Sequence, residues 1–496
     1  MDHPPRPLPD HVEVLVVGTG FSGLAAAIKL RQAGHNVAVI EKASDVGGTW
    51  RDNSYPACAC DVPSHLYSFS FAPNPSWSRT FSAQPEIDAY LGKVATDFGV
   101  RDLTWFDTEL LEAEWRVEDK VWQVRTSSGD LTADLVVLAA GALSEPALPG
   151  IPGLETFDGA CFHSATWDHA HDFTGERVAV IGTGASAVQF APEVAKVAAR
   201  LTVFQRTAPW ILPRRDRAIT RAERWLFRLV PAAQKLIRGA IYSVRESWVI
   251  GFSVRPQLMS RPEKMAVHFI ARKVSDPALR AKVTPSYRLG CKRVLLSNTW
   301  YPMLNKPHVD LVTDRIVEVT RNAVVTADAE GRRTSHEVDT LLLGTGFKAT
   351  DLPVAHLVRG ADGRTLAEQW AETGMRAHLG LTVAGYPNLF MIMGPNTGQG
   401  HTSVVYVVER QVAFIVQALA VMRSAGAKTL ETTAEAEDRY NAEVQRRMAR
   451  TVWSTGGCQS WYVDAEGRNT TLWPTFTFLL GKKLREVDQE DYVLAP

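Results

Sequence analysis

Two stretches of this chain repeat one pattern, and that repeat narrows the folds open to it more than any other feature. "HVEVLVVGTGFSGLAAAIKLRQAGHNVAVIEK" opens with an apolar, β-rich run over 12–17 and then passes through Gly18, Gly20 and Gly23. A helix-like segment follows to about Gly34, and a second strand over 36–40 ends at Glu41. Each residue type has a mechanical reason. Gly18 permits a tight turn, Gly20 lets the backbone approach a pyrophosphate, Gly23 lets the helix pack on the strand, and Glu41 is placed to accept hydrogen bonds from a ribose diol. A lone glycine triplet says little, but one framed by strand, helix, strand and acid reads as a dinucleotide site.

The pattern recurs in "ERVAVIGTGASAVQFAPEVAKVAARLTVFQRT", with Gly182, Gly184 and Ala187 in the three positions. Here the second strand, over 201–205, runs into Arg206 and Thr207 instead of an acid. A carboxylate at that point repels a 2′-phosphate, whereas an arginine pairs with it. The second site therefore reads as NADP(H) and the first as FAD or NAD; a solvated surface arginine is the competing reading of Arg206.

Two more apolar runs, one ending in Ala140 and Gly141 and the other in Gly344, Thr345 and Gly346, predict strands returning to the first unit. The second lies beyond the NADP unit, so the first domain is expected to be interrupted and resumed. The layout resembles the two-dinucleotide flavoproteins, in which the N-terminal site holds FAD and the inserted one NAD(P)H. The expected class is α/β, with two Rossmann-like domains: FAD at 1–150 and 340–496, NADP at 155–212 and 288–339, and a helical insertion at 213–287.

Composition excludes some alternatives. Lys+Arg and Asp+Glu each total 54, so no global excess of charge points to nucleic acid. The Pro-rich start lacks the apolar run of a secretory signal, and no stretch holds 18 uninterrupted apolar residues, so a cytoplasmic protein without a transmembrane segment is expected. Five scattered cysteines suit reduced thiols, and no Cys/His set has zinc-ligand spacing.

The stretch "GGTWRDNSYPACACD" tests a redox reading, because Cys58 and Cys60 follow the first glycine loop. Disulfide reductases of the superfamily place a redox Cys directly after Gly-Gly-Thr; this chain has Trp50 there. Cys58 and Cys60 are separated only by Ala59, and a disulfide across one residue strains its loop. The stretch instead resembles the N-terminal motif of the type I Baeyer–Villiger monooxygenases, through Gly47, Gly48, Trp50, Tyr55, Pro56 and Asp61, with Ala57 where that family often has glycine. A second match is "FDGACFHSATWD": Phe157, Gly159, His163, Trp167 and Asp168 resemble the FxGxxxHxxxW(P/D) motif that defines those enzymes. N- and S-oxygenating flavin monooxygenases usually carry Tyr or Phe where Trp167 stands.

The resemblance implies that NADPH reduces the flavin and O₂ adds to form a C4a-peroxyflavin. This attacks a ketone, which rearranges to an ester or lactone. Such chemistry needs a fixed cation in a partly dry site, which favours arginine over lysine. "PSYRLGCKRVLLSNTWYP" offers Lys292 and Arg293; in extended chain they point to opposite faces, so both cannot serve one site. The resemblance assigns Lys292 to the NADP phosphate and Arg293 to the flavin, with Asp61 as the carboxylate that pairs with Arg293. It also implies flavin contacts from the Gly-rich turn in 391–403, which includes Asn396, and a nicotinamide-ribose contact from Trp461 in a mobile loop. "FSAQPEI" is expected near the nicotinamide.

Residues 213–287 show helical periodicity broken by Pro231. The resemblance places this insertion along the substrate channel, and its basic amphipathic character also suits weak contact with a membrane surface. The expected partners are a small ketone and O₂. The competing functions are N- or S-oxygenation and an NADP(H)-binding flavoprotein without oxygenation. The ketone and the oligomeric state are not legible.

Overall fold

The strand β1 (His11–Val17) is buried on both faces over its second half, as the centre of a parallel sheet covered by helices requires. The structure, a computed structural model, describes residues 7–496, so most of the Pro-rich start lies outside the described residues. After β1 come the helix α1 (Phe21–Gln32) and β2 (Val37–Ile40), which pairs parallel with β1. On the other side of β1 lies β3 (Gly129–Leu138), also parallel. Antiparallel strands Val121–Thr126 and Leu110–Arg116 extend this sheet past β3, and Thr104–Trp105 extends it past β2.

The second unit holds β4 (Ala160–His163), β5 (Arg177–Ile181), the helix α2 (Ala185–Val194) and β6 (Arg200–Phe204). Between β6 and the next strand of its sheet the chain makes the helices α3 (Arg221–Leu229), α4 (Pro231–Glu246), α5 (Ser260–Lys273) and α6 (Pro277–Val283), matching the helical reading of that span. Pro231 opens α4 at its first turn, where a missing N–H costs nothing, so it separates two helices and breaks neither. The strands β7 (Val309–Val312) and β8 (Thr340–Leu343) complete a parallel sheet of order β7-β6-β5-β8-β4.

One expectation is corrected here. The apolar run ending at Gly344 was expected to return to the first sheet, yet β8 sits between β5 and β4 in the second. The return comes later, first at Val358–Arg359, which pairs parallel with Leu110–Arg116, and then at β9 (Leu389–Met391), which pairs parallel with β3. The reason is a duplicated device. A Cβ on Gly18 would lie 2.8 Å from the Ala139 carbonyl after β3, and one on Gly182 would lie 2.4 Å from the Gly344 carbonyl after β8. Both glycines have positive φ, +102° and +109°. Each glycine loop thus needs its own strand-end neighbour, and the sequence pattern of the two neighbours is alike.

The thiol expectation also changes. Cys58, Cys60 and Cys161 are free, but Cys291 and Cys458, 167 residues apart, form a disulfide. A pair so distant leaves no spacing signal. The bond ties the segment bearing Lys292 and Arg293 to the loop bearing Trp461. Finally, α7 (Val404–Ala425) has the length and hydropathy of a membrane span, but Val408, Val412, Ile415 and Leu419 are buried with residues of α1 in the core of the first unit.

Candidate active site

The first glycine loop delivers the chain into the N-terminus of α1, where unpaired backbone N–H groups and the helix dipole favour a phosphate. Gly23 is obligatory for packing, because a Cβ there would stand 1.8 Å from the Gly18 carbonyl. Glu41 is held ready at the end of β2. Its Oε2 accepts from the Thr19 N–H at 2.9 Å and the Thr19 hydroxyl at 2.6 Å, while Arg51 stands 3.2 Å from Oε1. From here a continuous cavity passes Gly48, Trp50 and Tyr67 and reaches Arg293, Trp461 and the 470–472 segment. Gln399 Oε1, Thr470 Oγ1 and Thr471 Oγ1 belong to its lining residues and are buried without a hydrogen-bond partner. Buried polar atoms are normally satisfied. A glycine cradle, an acid at ribose distance and unpaired polar atoms along one cavity fit a flavin dinucleotide.

Arg293 and Asp61 meet in a bidentate ion pair, Nε to Oδ2 at 2.7 Å and Nη2 to Oδ1 at 2.6 Å. Arg293 reaches the cavity wall and Asp61 stands behind it. Burial pushes the Asp61 carboxyl up, but the charge and hydrogen bonds of Arg293 outweigh it, and the net direction is down. The Asp61 charge in turn raises Arg293 above its ordinary value, so both are charged throughout the neutral range. The last turn of α4 adds Arg245, whose Nη2 donates to the Asp61 carbonyl at 2.8 Å. Trp50 donates through Nε1 to the Tyr67 hydroxyl at 3.0 Å, fixing its ring in the cavity wall.

At the second loop, Arg206 is exposed and Lys292 half-buried, and neither has an ion-pair partner among the described residues. Burial and then the nearby Arg206 charge lower the Lys292 pKa, so the two cations are within electrostatic reach of each other. Gly184 leaves the loop open, and the Thr207 carbonyl accepts from the Thr183 hydroxyl at 3.2 Å. Two uncompensated cations beside a glycine loop suit a phosphate. Lys292 feels the charge of Arg206, whereas Arg293 pairs with Asp61.

The linker motif divides by task. Gly159 is required because a Cβ would meet the Asp339 carbonyl at 2.1 Å and the Phe157 ring at 2.7 Å. His163, at the end of β4, accepts at Nδ1 from the Ala165 N–H, and burial lowers its pKa, so the neutral ring carries its proton on Nε2. Trp167 is buried among Phe162, Phe173 and Phe190, with ring centroids 5.2 to 5.7 Å away. Asp168 is exposed and caps a turn through the Ala170 N–H.

One expected contact needs revising. The Asn396 side chain is absent from the cavity wall; its Nδ2 donates to the Asn469 and Leu472 carbonyls at 2.8 and 3.0 Å, holding the segment that forms the wall. The neighbouring Gln399 lines the cavity in its place. Trp461 does line the cavity, but so does Tyr462, which the sequence reading missed. The Tyr462 hydroxyl is buried without a partner, and burial pushes its pKa up to about 12. Arg245 and Arg51 were missed as well, because no short-range pattern marks a residue that acts across the fold.

Known proteins share this arrangement. Residues 15–220 match the family described as pyridine nucleotide-disulphide oxidoreductase. Across 98% of its length the chain is 51% identical to a Baeyer–Villiger monooxygenase of Streptomyces coelicolor, covering 93% of that protein. This chain belongs to the Baeyer–Villiger monooxygenase family. Its fold is similar to that of OTEMO in complex with FAD and NADP, with a TM-score of 0.86 and 27% identity, covering 98% of this chain and 99% of that one. It is equally similar to cyclohexanone monooxygenase from Rhodococcus sp. Phi1 bound to NADP⁺, at 0.86 and 29%, covering 98% and 100%. The disulphide chemistry in the broader family's description has no counterpart at the first loop of this Baeyer–Villiger family member. Cys58 and Cys60 are free and buried, and burial pushes the Cys58 thiol up to about 11.

Proposed function

We propose that the chain is an NADPH-dependent, FAD-containing monooxygenase that uses O₂ to convert a ketone into an ester or lactone. The observation that carries this reading is Arg293, locked against Asp61 and presented at the wall of the cavity beside the first glycine loop. The relatives' names and the FAD and NADP of the OTEMO complex support the same cofactors here.

FAD would be held in the first domain by the Glu41 carboxylate, for its ribose, and by Gly18, Gly20 and the start of α1, for its diphosphate. NADP(H) would be held in the second, Arg206, Thr207 and Lys292 serving its 2′-phosphate and Trp461 its nicotinamide ribose. When bound and reduced, FAD supplies the activated oxygen that inserts beside the ketone carbonyl. Arg293 places a fixed positive charge where negative charge develops on oxygen, and Asp61 holds that guanidinium in one orientation. A preorganised charge of this kind contributes about 3–4 kcal/mol to a transition state. Trp50, Tyr67 and Tyr462 line the cavity around it and limit water.

The test is turnover of a ketone panel with NADPH under ¹⁸O₂. One ¹⁸O atom in an ester product is the expected result; NADPH oxidation yielding only hydrogen peroxide across the panel would count against the reading.

A further inference from the structure

The helix α4 is apolar on two sides. Its inward side packs Ala233, Ile241 and Tyr242 on the core and also carries Gln234, Arg238, Arg245 and Glu246, all bonded to the rest of the protein. Gln234 donates to the Asn74 carbonyl at 2.7 Å, and Arg238 donates to the His65 and Ser68 carbonyls at 2.9 and 2.8 Å. Arg245 holds the Asp61 carbonyl, and Glu246 accepts from the Thr477 hydroxyl at 2.6 Å. A second apolar line faces outward: Leu236, Ala240 and Val244, each one turn after the last, are exposed. Leu236 is 75% and Val244 64% exposed. Helix α3, packed against α4, adds Trp225 at 64% and Leu229 at 59%. A surface helix in water keeps its apolar residues inward; a second, outward stripe of this kind marks an interaction face.

Charge on and next to these helices selects the partner. Arg221 on α3 and Lys235 on α4 are exposed, as are Arg255 and Arg261 in the chain that follows α4. The carboxylates between 221 and 262 are Glu223 and Glu246, the first paired with Arg217 and the second buried. A second copy docking through the same face would set cations against cations. Anionic headgroups over an acyl layer complement both the cations and the apolar stripe.

We propose that the outer face of α3 and α4 rests on the surface of an anionic lipid bilayer. The contact is peripheral, because the inward side of α4 stays bonded to the protein. It brings an apolar phase to the helix whose last turn touches Asp61.

The experiment is vesicle flotation of the purified FAD-loaded enzyme. One set of vesicles is phosphatidylcholine alone; the other is equal parts phosphatidylcholine and phosphatidylglycerol. The floated fraction is expected to be about tenfold higher with the anionic vesicles and to fall as salt rises. Leu236→Glu combined with Val244→Glu should lower it about tenfold, with flavin content and NADPH oxidation on a water-soluble ketone unchanged. Lys235→Glu should weaken binding and flatten its salt dependence. Equal or absent flotation with both vesicle types overturns the proposal. So does a concentration-dependent dimer that Leu236→Glu dissociates, since that result gives the face to a second copy.

Discussion

Arg293 and Asp61 stand 232 residues apart in sequence and meet through two parallel hydrogen bonds, so the fold brings a cation and its counter-ion together at the cavity wall. Replacing Arg293 by Ala removes the fixed charge but none of the glycine cradle. The variant is expected to bind FAD and oxidise NADPH while ester formation falls about 10²–10³-fold. The ratio of ester to hydrogen peroxide per NADPH checks this. Arg293→Lys should recover little, because an ammonium lacks the fork that matches the carboxylate.

The same pair sets an acid limb in stability. The folded Asp61 pKa lies below the ordinary value of 3.8, so its contribution is complete above that value and is lost as pH falls through the lower, folded one. Thermal unfolding of the native chain should therefore steepen below about pH 4, and the Asp61→Asn variant should lack that component. Near neutrality the variant should be less stable by about 2 kcal/mol, below the fully buried range because both side chains are partly exposed.

Lys292 and Arg206 raise each other's electrostatic cost until an anion arrives. Binding of NADP⁺ should lift the lowered Lys292 pKa, so protons are taken up on binding at alkaline pH and affinity weakens as pH rises. Calorimetry in buffers of different ionisation enthalpy measures that uptake. Arg206→Ala should reduce kcat/KM for NADPH about 10–100-fold and leave NADH nearly unchanged.

The Cys291–Cys458 bond connects the Arg293 segment with the loop of Trp461 and Tyr462. Cys458→Ser should lower stability by about 2–4 kcal/mol, raise the KM for NADPH and increase uncoupled peroxide. Cys58→Ser, at a free and buried thiol, should keep activity. Parallel unfolding and coupling measurements on the two variants separate these outcomes.

Trp167, which the linker-motif resemblance singled out against N- and S-oxygenating enzymes, is buried in the core of the second domain and does not line the cavity. Trp167→Phe is expected to cost about 1–2 kcal/mol in stability and to leave the ester as the product. Product analysis of the purified variant decides it; a switch to sulfoxide alone would show that the position controls chemistry directly.

The two glycine loops, their strands and the split between Lys292 and Arg293 were legible because each follows from local chemistry at fixed spacing. The sheet joined by β8 was not, since the runs before Gly141 and Gly344 end alike and only packing against Gly18 or Gly182 separates them. Asn396 misled for a related reason. Its amide lies in the expected turn, but the direction of a side chain depends on the 469–472 segment that folds over it. Arg245, Tyr462 and the Cys291–Cys458 bond depend on contacts between elements far apart in the chain, which no pattern of neighbours encodes.

The last turn of α4 fastens three regions at once: Arg245 holds the Asp61 backbone, and Glu246 binds His401 at 3.0 Å and Thr477. A chimera that exchanges the helical insertion would therefore also exchange the clamp on the Arg293–Asp61 ion pair. The natural seam lies before Arg245, so that the borrowed part ends at Val244 and the recipient keeps its own anchor.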